Sequence, residues 1–121
     1  MQLRKVTTVL GVLFILQGLG FLLIPEQATS SLGMPLLDGI GRSTQLGDFA
    51  AFFVGLGISA LLGSRPGNGR LLYVSSAVLG LAALGRTLAW MLQGASFAPI
   101  FIFVEVLGCL VFLVAARQNN A

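Results

Sequence analysis

Histidine is absent from this 121-residue chain, and cysteine occurs once, at Cys109. Without imidazole there is no His-ligated haem, no ordinary imidazole-based zinc site and no Ser-His-Asp triad. A single thiol within an apolar run forms neither an intrachain disulfide nor a two-thiol redox centre, so Cys109 reads as a small packing residue. Charge is scarce too: seven Lys and Arg and four Asp and Glu amount to 9% of the residues. The net charge of +3 comes without a basic cluster. Nucleic acid, whose backbone is tracked by clustered cations, is therefore set aside as a partner. No cofactor motif and no metal-ligand spacing is present, and neither cofactor nor metal is expected.

What the chain does contain is apolar surface. Hydrophobic residues make up 56% of it, and the mean hydropathy is +0.96. Such a composition belongs to a polytopic membrane protein. A helix needs about 20 apolar residues to cross a hydrocarbon core, and four segments qualify: 6–24, 42–62, 71–91 and 97–116. The spacing predicts one all-α domain over 1–121, a four-helix transmembrane bundle. Arg4-Lys5 before the first run and Ala28-Thr29-Ser30 after it outline a signal peptide. The run from Val6 to Ile24 is longer than an ordinary signal core, however, so a retained membrane helix is expected.

Connections are read from turn formers. The first, 25–41, is broken by Pro25, Gly33, Pro35, Gly39 and Gly41, and leaves room for one short interfacial helical turn over Glu26 to Leu32. As the longest connection it is the natural place for a lid or partner contact. Gly63 to Arg70 and Gln93 to Ser96 form the tight turns, and Pro99 fits the first turn of the last helix, where its missing N–H costs nothing. The polar tail 117–121 is expected to fray. Arg4, Lys5, Arg65, Arg70 and Arg117 fall on one side of the spans and only Arg42 on the other, which by the positive-inside bias places both termini in the cytoplasm.

Within the spans, polar groups are few and therefore informative. Arginine stays protonated, so Arg86 needs an anion, a wet cavity or a route to the headgroups. At about 1.5 Å rise per residue, Arg86, Asp48 and Glu105 all lie roughly 8 to 9 Å below the rim opposite the termini. Asp48 shares a helical stripe with Phe52, Gly55 and Ser59, and Glu105 one with Gly108, Cys109 and Phe112. Gly55, Ser59 and Gly63, like Ser76 and Gly80, make small-residue series suited to close helix contact. These placements predict that Arg86 pairs with Asp48 or Glu105, Glu105 being the first choice. Arg42 would close the mouth and Gln17 line the floor of a charge-balanced pocket. The plainer reading is an ion pair that fixes helix register without chemistry, with Gln17 bonding across helices and Trp90 and Phe97 forming an interfacial belt.

Taken together, Gly11 to Glu26 with Leu32-Gly33-Met34, Arg42 before a glycine-containing second helix, Gly85-Arg86 with Gly94, and Glu105 in the last helix resemble a family of small four-helix bacterial membrane proteins of unknown function. A more distant resemblance is to the DoxX-like four-helix membrane proteins. The resemblance implies the fold and the bacterial inner membrane, and it carries Arg42, Arg86 and Glu105. At Gly47-Asp48 the chain departs from that family's Gly-Gly pair. For function, the residues favour a protein that binds or moves a small amphiphile, lipid or ion, and that self-associates as a homo-oligomer. The alternatives are an accessory or scaffolding subunit of a larger membrane complex and a quinone- or lipid-linked membrane enzyme component. Catalysis is the less favoured of these, for although an arginine and carboxylates suffice for proton transfer, no catalytic constellation is spelled out.

Overall fold

The computed structural model describes residues 2–120, and the chain over that range is all-α. Helix α1 covers Gln2–Leu23, the short α2 Pro25–Ser31, α3 Gly39–Gly63, α4 Arg70–Gln93 and α5 Pro99–Asn120. Apart from α2, each is long and apolar enough to cross a membrane. The long helices form a closed ring in which α1 lies against α3, α3 against α4, α4 against α5, and α5 returns to α1. The start of α1 and the end of α5 both lie against the turn between α3 and α4, at what is called the termini end.

Local chemistry sets the element boundaries. The residue before a proline is pushed out of the helical region, and Ile24 accordingly has φ −136° before Pro25 opens α2. That helix closes in a Schellman arrangement: Gly33 takes φ +78°, its N–H donates to the Ser30 carbonyl, and the Met34 N–H donates to that of Thr29. Gly94, in the left-handed region at φ 68°, ends α4. Pro99 starts α5.

The expected fraying of the tail is corrected over 117–120, while Ala121 lies outside the described residues. Helix α5 continues to Asn120 because Asn119 Nδ2 donates to the carbonyls of Gly63 (2.8 Å) and Arg65 (2.9 Å). Those carbonyls belong to the end of α3 and the turn after it, so the bond ties the last turn of α5 to the α3–α4 connection.

Helix packing relies on shape, since lipid gives apolar faces little reason to prefer each other. The closest backbone approach is between α1 and α3: a Cβ built on Gly57 would lie 2.5 Å from the Gly11 carbonyl oxygen. Around it run stacked rings, with Phe21 5.5 Å from Phe49 and 5.7 Å from Phe53. Of the small-residue series on α3, Ser59 meets Ser75 of α4 at 2.8 Å and Gly63 meets Leu72, but Gly55 faces open space.

Burial is uneven along the bundle. In α1 and α3 it extends over the whole length, from Thr7 to Phe21 and from Gln45 to Gly63. Buried residues of α4 run only from Leu72 to Ala83, and those of α5 only from Phe112 to Ala116. The α4–α5 hairpin is thus bound to α1 and α3 at the termini end and left uncovered at the far end, where the two hairpins open into a wedge.

Candidate functional site: an arginine–glutamate pair between α4 and α5

Helices α4 and α5 approach closely because the residues between them are small. The Ser76 hydroxyl donates to the Cys109 carbonyl at 2.8 Å, and a Cβ on Gly108 would lie 2.6 Å from Leu79 Cδ1. Arg86 stands seven residues before the end of α4 and Glu105 six after the start of α5. At the helical rise, they lie about 10.5 and 9 Å below the far rim. Arg86 Nε donates to both carboxylate oxygens of Glu105, at 3.0 and 2.9 Å. Phe101, one turn before Glu105 on the same face, places its ring 4.5 Å from Arg86 Cζ, a cation–π contact. The two side chains retain 32% and 14% of their exposure.

Only one edge of the guanidinium is used in this arrangement. Among the described residues no hydrogen bond reaches either Nη of Arg86, and the two Nη groups carry four of its five N–H donors. The pair is charge-neutral, and most of its donor capacity is unused by the described residues.

The expected cluster of two cations and two anions does not form. Arg42 is engaged locally: Nη2 lies 3.2 Å from Asp38 Oδ1, one turn earlier, and Nε donates to the Leu37 carbonyl at 2.7 Å. It braces the connection into α3 and stays clear of Arg86. Asp48 is exposed and makes no ion pair among the described residues. The reason is the wedge. Asp48 lies eleven residues before Ser59 and Arg86 eleven after Ser75. In antiparallel helices joined at Ser59–Ser75, the two therefore stand at one height and on facing sides, about 16 Å from that contact. Along this face the helices do not meet: Gly55, on the Asp48 stripe, has nothing within 4 Å of an added Cβ, and Asp48 is exposed. Gln17 is half-buried on α1, with no side-chain hydrogen bond among the described residues. Trp90 and Phe97 meet at the far end with ring centroids 4.8 Å apart, both half-exposed.

Some structural polar residues escaped the sequence reading. Gln45 is buried at 6% exposure and holds the strand of chain before α3: its Oε1 accepts from the Leu37 N–H at 3.0 Å, and its Nε2 donates to the Pro35 carbonyl at 2.9 Å. At the termini end, Thr7 and Ser64 hydroxyls lie 2.6 Å apart, and Arg4 Nε donates to the Ser64 carbonyl at 3.0 Å. A lone amide or hydroxyl within an apolar span is the signal that points to such residues, because it must find a partner there.

No family model, no curated protein and no solved structure matches this chain, and the functional reading therefore stands on the geometry of Arg86 and Glu105.

Proposed function

We propose that the protein is a small polytopic membrane protein that binds the anionic headgroup of an amphiphile at Arg86, taken from the bilayer into the wedge between the hairpins. The unused Nη groups of Arg86 carry this reading. Donors left without partners at membrane depth are costly, and a phosphate or carboxylate accepts two of them side by side. Glu105 holds the guanidinium in place and balances it while the site is empty. Asp48, on the facing wall at the same height, favours a headgroup that also carries a donor, an amine or hydroxyl. The cation asymmetry supports an orientation with both termini in the cytoplasm, which places the site in the outer leaflet. The likeness to small bacterial four-helix proteins and to DoxX-like proteins supports the bacterial inner membrane as the setting.

The test is thermal unfolding in neutral maltoside micelles with added dodecyl phosphate. The wild type is expected to gain stability as the additive rises, and Arg86→Gln to lose that response while still folding. An equal response in both would remove Arg86 as the site.

The uncovered far half of α4–α5, with Leu81, Leu84, Met91, Ile100 and Phe103 all exposed, favours a second reading, a subunit whose hairpin packs on another chain. Purification in mild detergent separates the two: a stoichiometric stranger supports the subunit, whereas a homo-oligomer or monomer that retains the amphiphile supports the binding protein.

A further inference from the structure

The opposite end of the bundle carries a distinct arrangement. Five of the seven cations, Arg4, Lys5, Arg65, Arg70 and Arg117, stand there. The four Asp and Glu residues, Glu26, Asp38, Asp48 and Glu105, all lie in the other half or in the loop beyond it. No carboxylate side chain offsets the positive charge at that end. Arg70, Arg65 and Arg117 have neither an ion pair nor a side-chain hydrogen bond among the described residues.

This charge borders a cavity in the form of an open surface cleft. About 780 Å³ of space is lined by Asn68 and Arg70 at the start of α4, Tyr73 one turn deeper, and Asn119 and Asn120 at the end of α5. Asn119 spends both amide N–H groups on the Gly63 and Arg65 carbonyls and Asn68 one on the Leu62 carbonyl, so the donors left on its wall are the Arg70 guanidinium, the Asn120 amide and the Tyr73 phenol. The bonds of Asn119 hold the end of α5 beside the start of α4. Tyr73 is 40% exposed and sits about 4.5 Å below Arg70 along the helix, the depth at which an aromatic ring with a polar tip marks the boundary between headgroups and acyl chains. Below it, Val74 and Ala77 are exposed on the outer surface of α4, which offers a chain an apolar track.

We infer that this cavity binds the phosphodiester headgroup of an anionic phospholipid, with Arg70 as its charge partner, in the leaflet on the side of the termini. The shape suits a lipid better than free phosphate. Arg70 and Tyr73 are followed on α4 by the exposed apolar residues Val74 and Ala77, so a headgroup and the start of its chains are accommodated together. The site is separate from Arg86, which lies four turns further along α4, and does not depend on the amphiphile reading.

The experiment is native mass spectrometry of the protein released from neutral maltoside micelles, titrated with phosphatidylglycerol or phosphatidylcholine. Phosphatidylglycerol is expected to be retained in preference to phosphatidylcholine. Arg70→Gln should weaken its retention about fivefold, the size of one cation's attraction to an anionic surface, while Arg70→Lys retains most of it and Arg86→Gln leaves it unchanged. Equal retention of both lipids, or an Arg70→Gln variant that matches wild type, would overturn the site. If inorganic phosphate at millimolar concentration displaces the lipid completely, the cavity is a free-phosphate site and the lipid assignment falls. Because Arg70 is exposed and unpaired, its substitution leaves the fold intact, and an unchanged thermal midpoint in lipid-free micelles checks this.

Discussion

At Arg86 and Glu105, one bond geometry carries both a stability expectation and a binding one. Removing either partner leaves the other charge without its partner in a poorly hydrated place, a loss that reaches about 3–5 kcal/mol for fully buried pairs. Arg86 keeps about a third of its exposure, so a smaller cost is expected, about 1–2 kcal/mol for Arg86→Gln or Glu105→Gln. The double variant should cost less than the sum, and a double-mutant cycle of unfolding free energies in micelles reads the coupling. Independent, additive effects would mean that the pair is not formed in the folded protein. The need of Arg86 for a partner was readable from its neighbours alone. Its choice was not: Glu105 and Asp48 lie at one depth, and only the divergence of α3 from α4 separates them. Gln45 was missed for the converse reason, since its partners are backbone groups of a loop whose path no periodicity describes. Gln45→Leu should cost about 2 kcal/mol through lost bonds to Leu37 and Pro35, and limited proteolysis should show faster cleavage within 32–38.

Two glycines of α3 distinguish a packed face from an open one. A Cβ on Gly57 meets the Gly11 carbonyl oxygen and Ile15 Cγ1, each at 2.5 Å, whereas a Cβ on Gly55 meets nothing within 4 Å. Gly57→Ala is therefore expected to push α1 from α3 and cost about 1–3 kcal/mol. Gly55→Ala should be neutral or stabilising by about 0.5 kcal/mol, since alanine loses less backbone freedom in a helix. Thermal midpoints of the two variants check the contrast, and a tolerated Gly57→Ala would contradict the close α1–α3 approach. The sequence pattern marked Gly55, Ser59 and Gly63 as one small-residue face. Spacing identifies such a face, but it does not say how far along it two helices stay together, because this depends on side chains from both. The helices themselves were legible because their lengths answer to a bilayer. Their ends shifted where specific bonds intervened: α3 begins at Gly39 and α5 runs to Asn120.

For the whole molecule, the uneven burial is the feature with functional weight. Two hairpins joined at the termini end and parted at the far end create a wedge, and Arg86 presents unused donors at its side. A cationic rim at the other end faces the opposite leaflet. The proposed occupant of the wedge at Arg86 is an anionic headgroup. The most direct measurement is an experimental density map of the protein in a nanodisc, prepared with the lipids that accompany it from the membrane. Elongated non-protein density is expected between the far halves of α3 and α4, its head within about 3.2 Å of Arg86 Nη. A closed wedge with the Nη groups bonded to Asp48 and no density between the hairpins would contradict it.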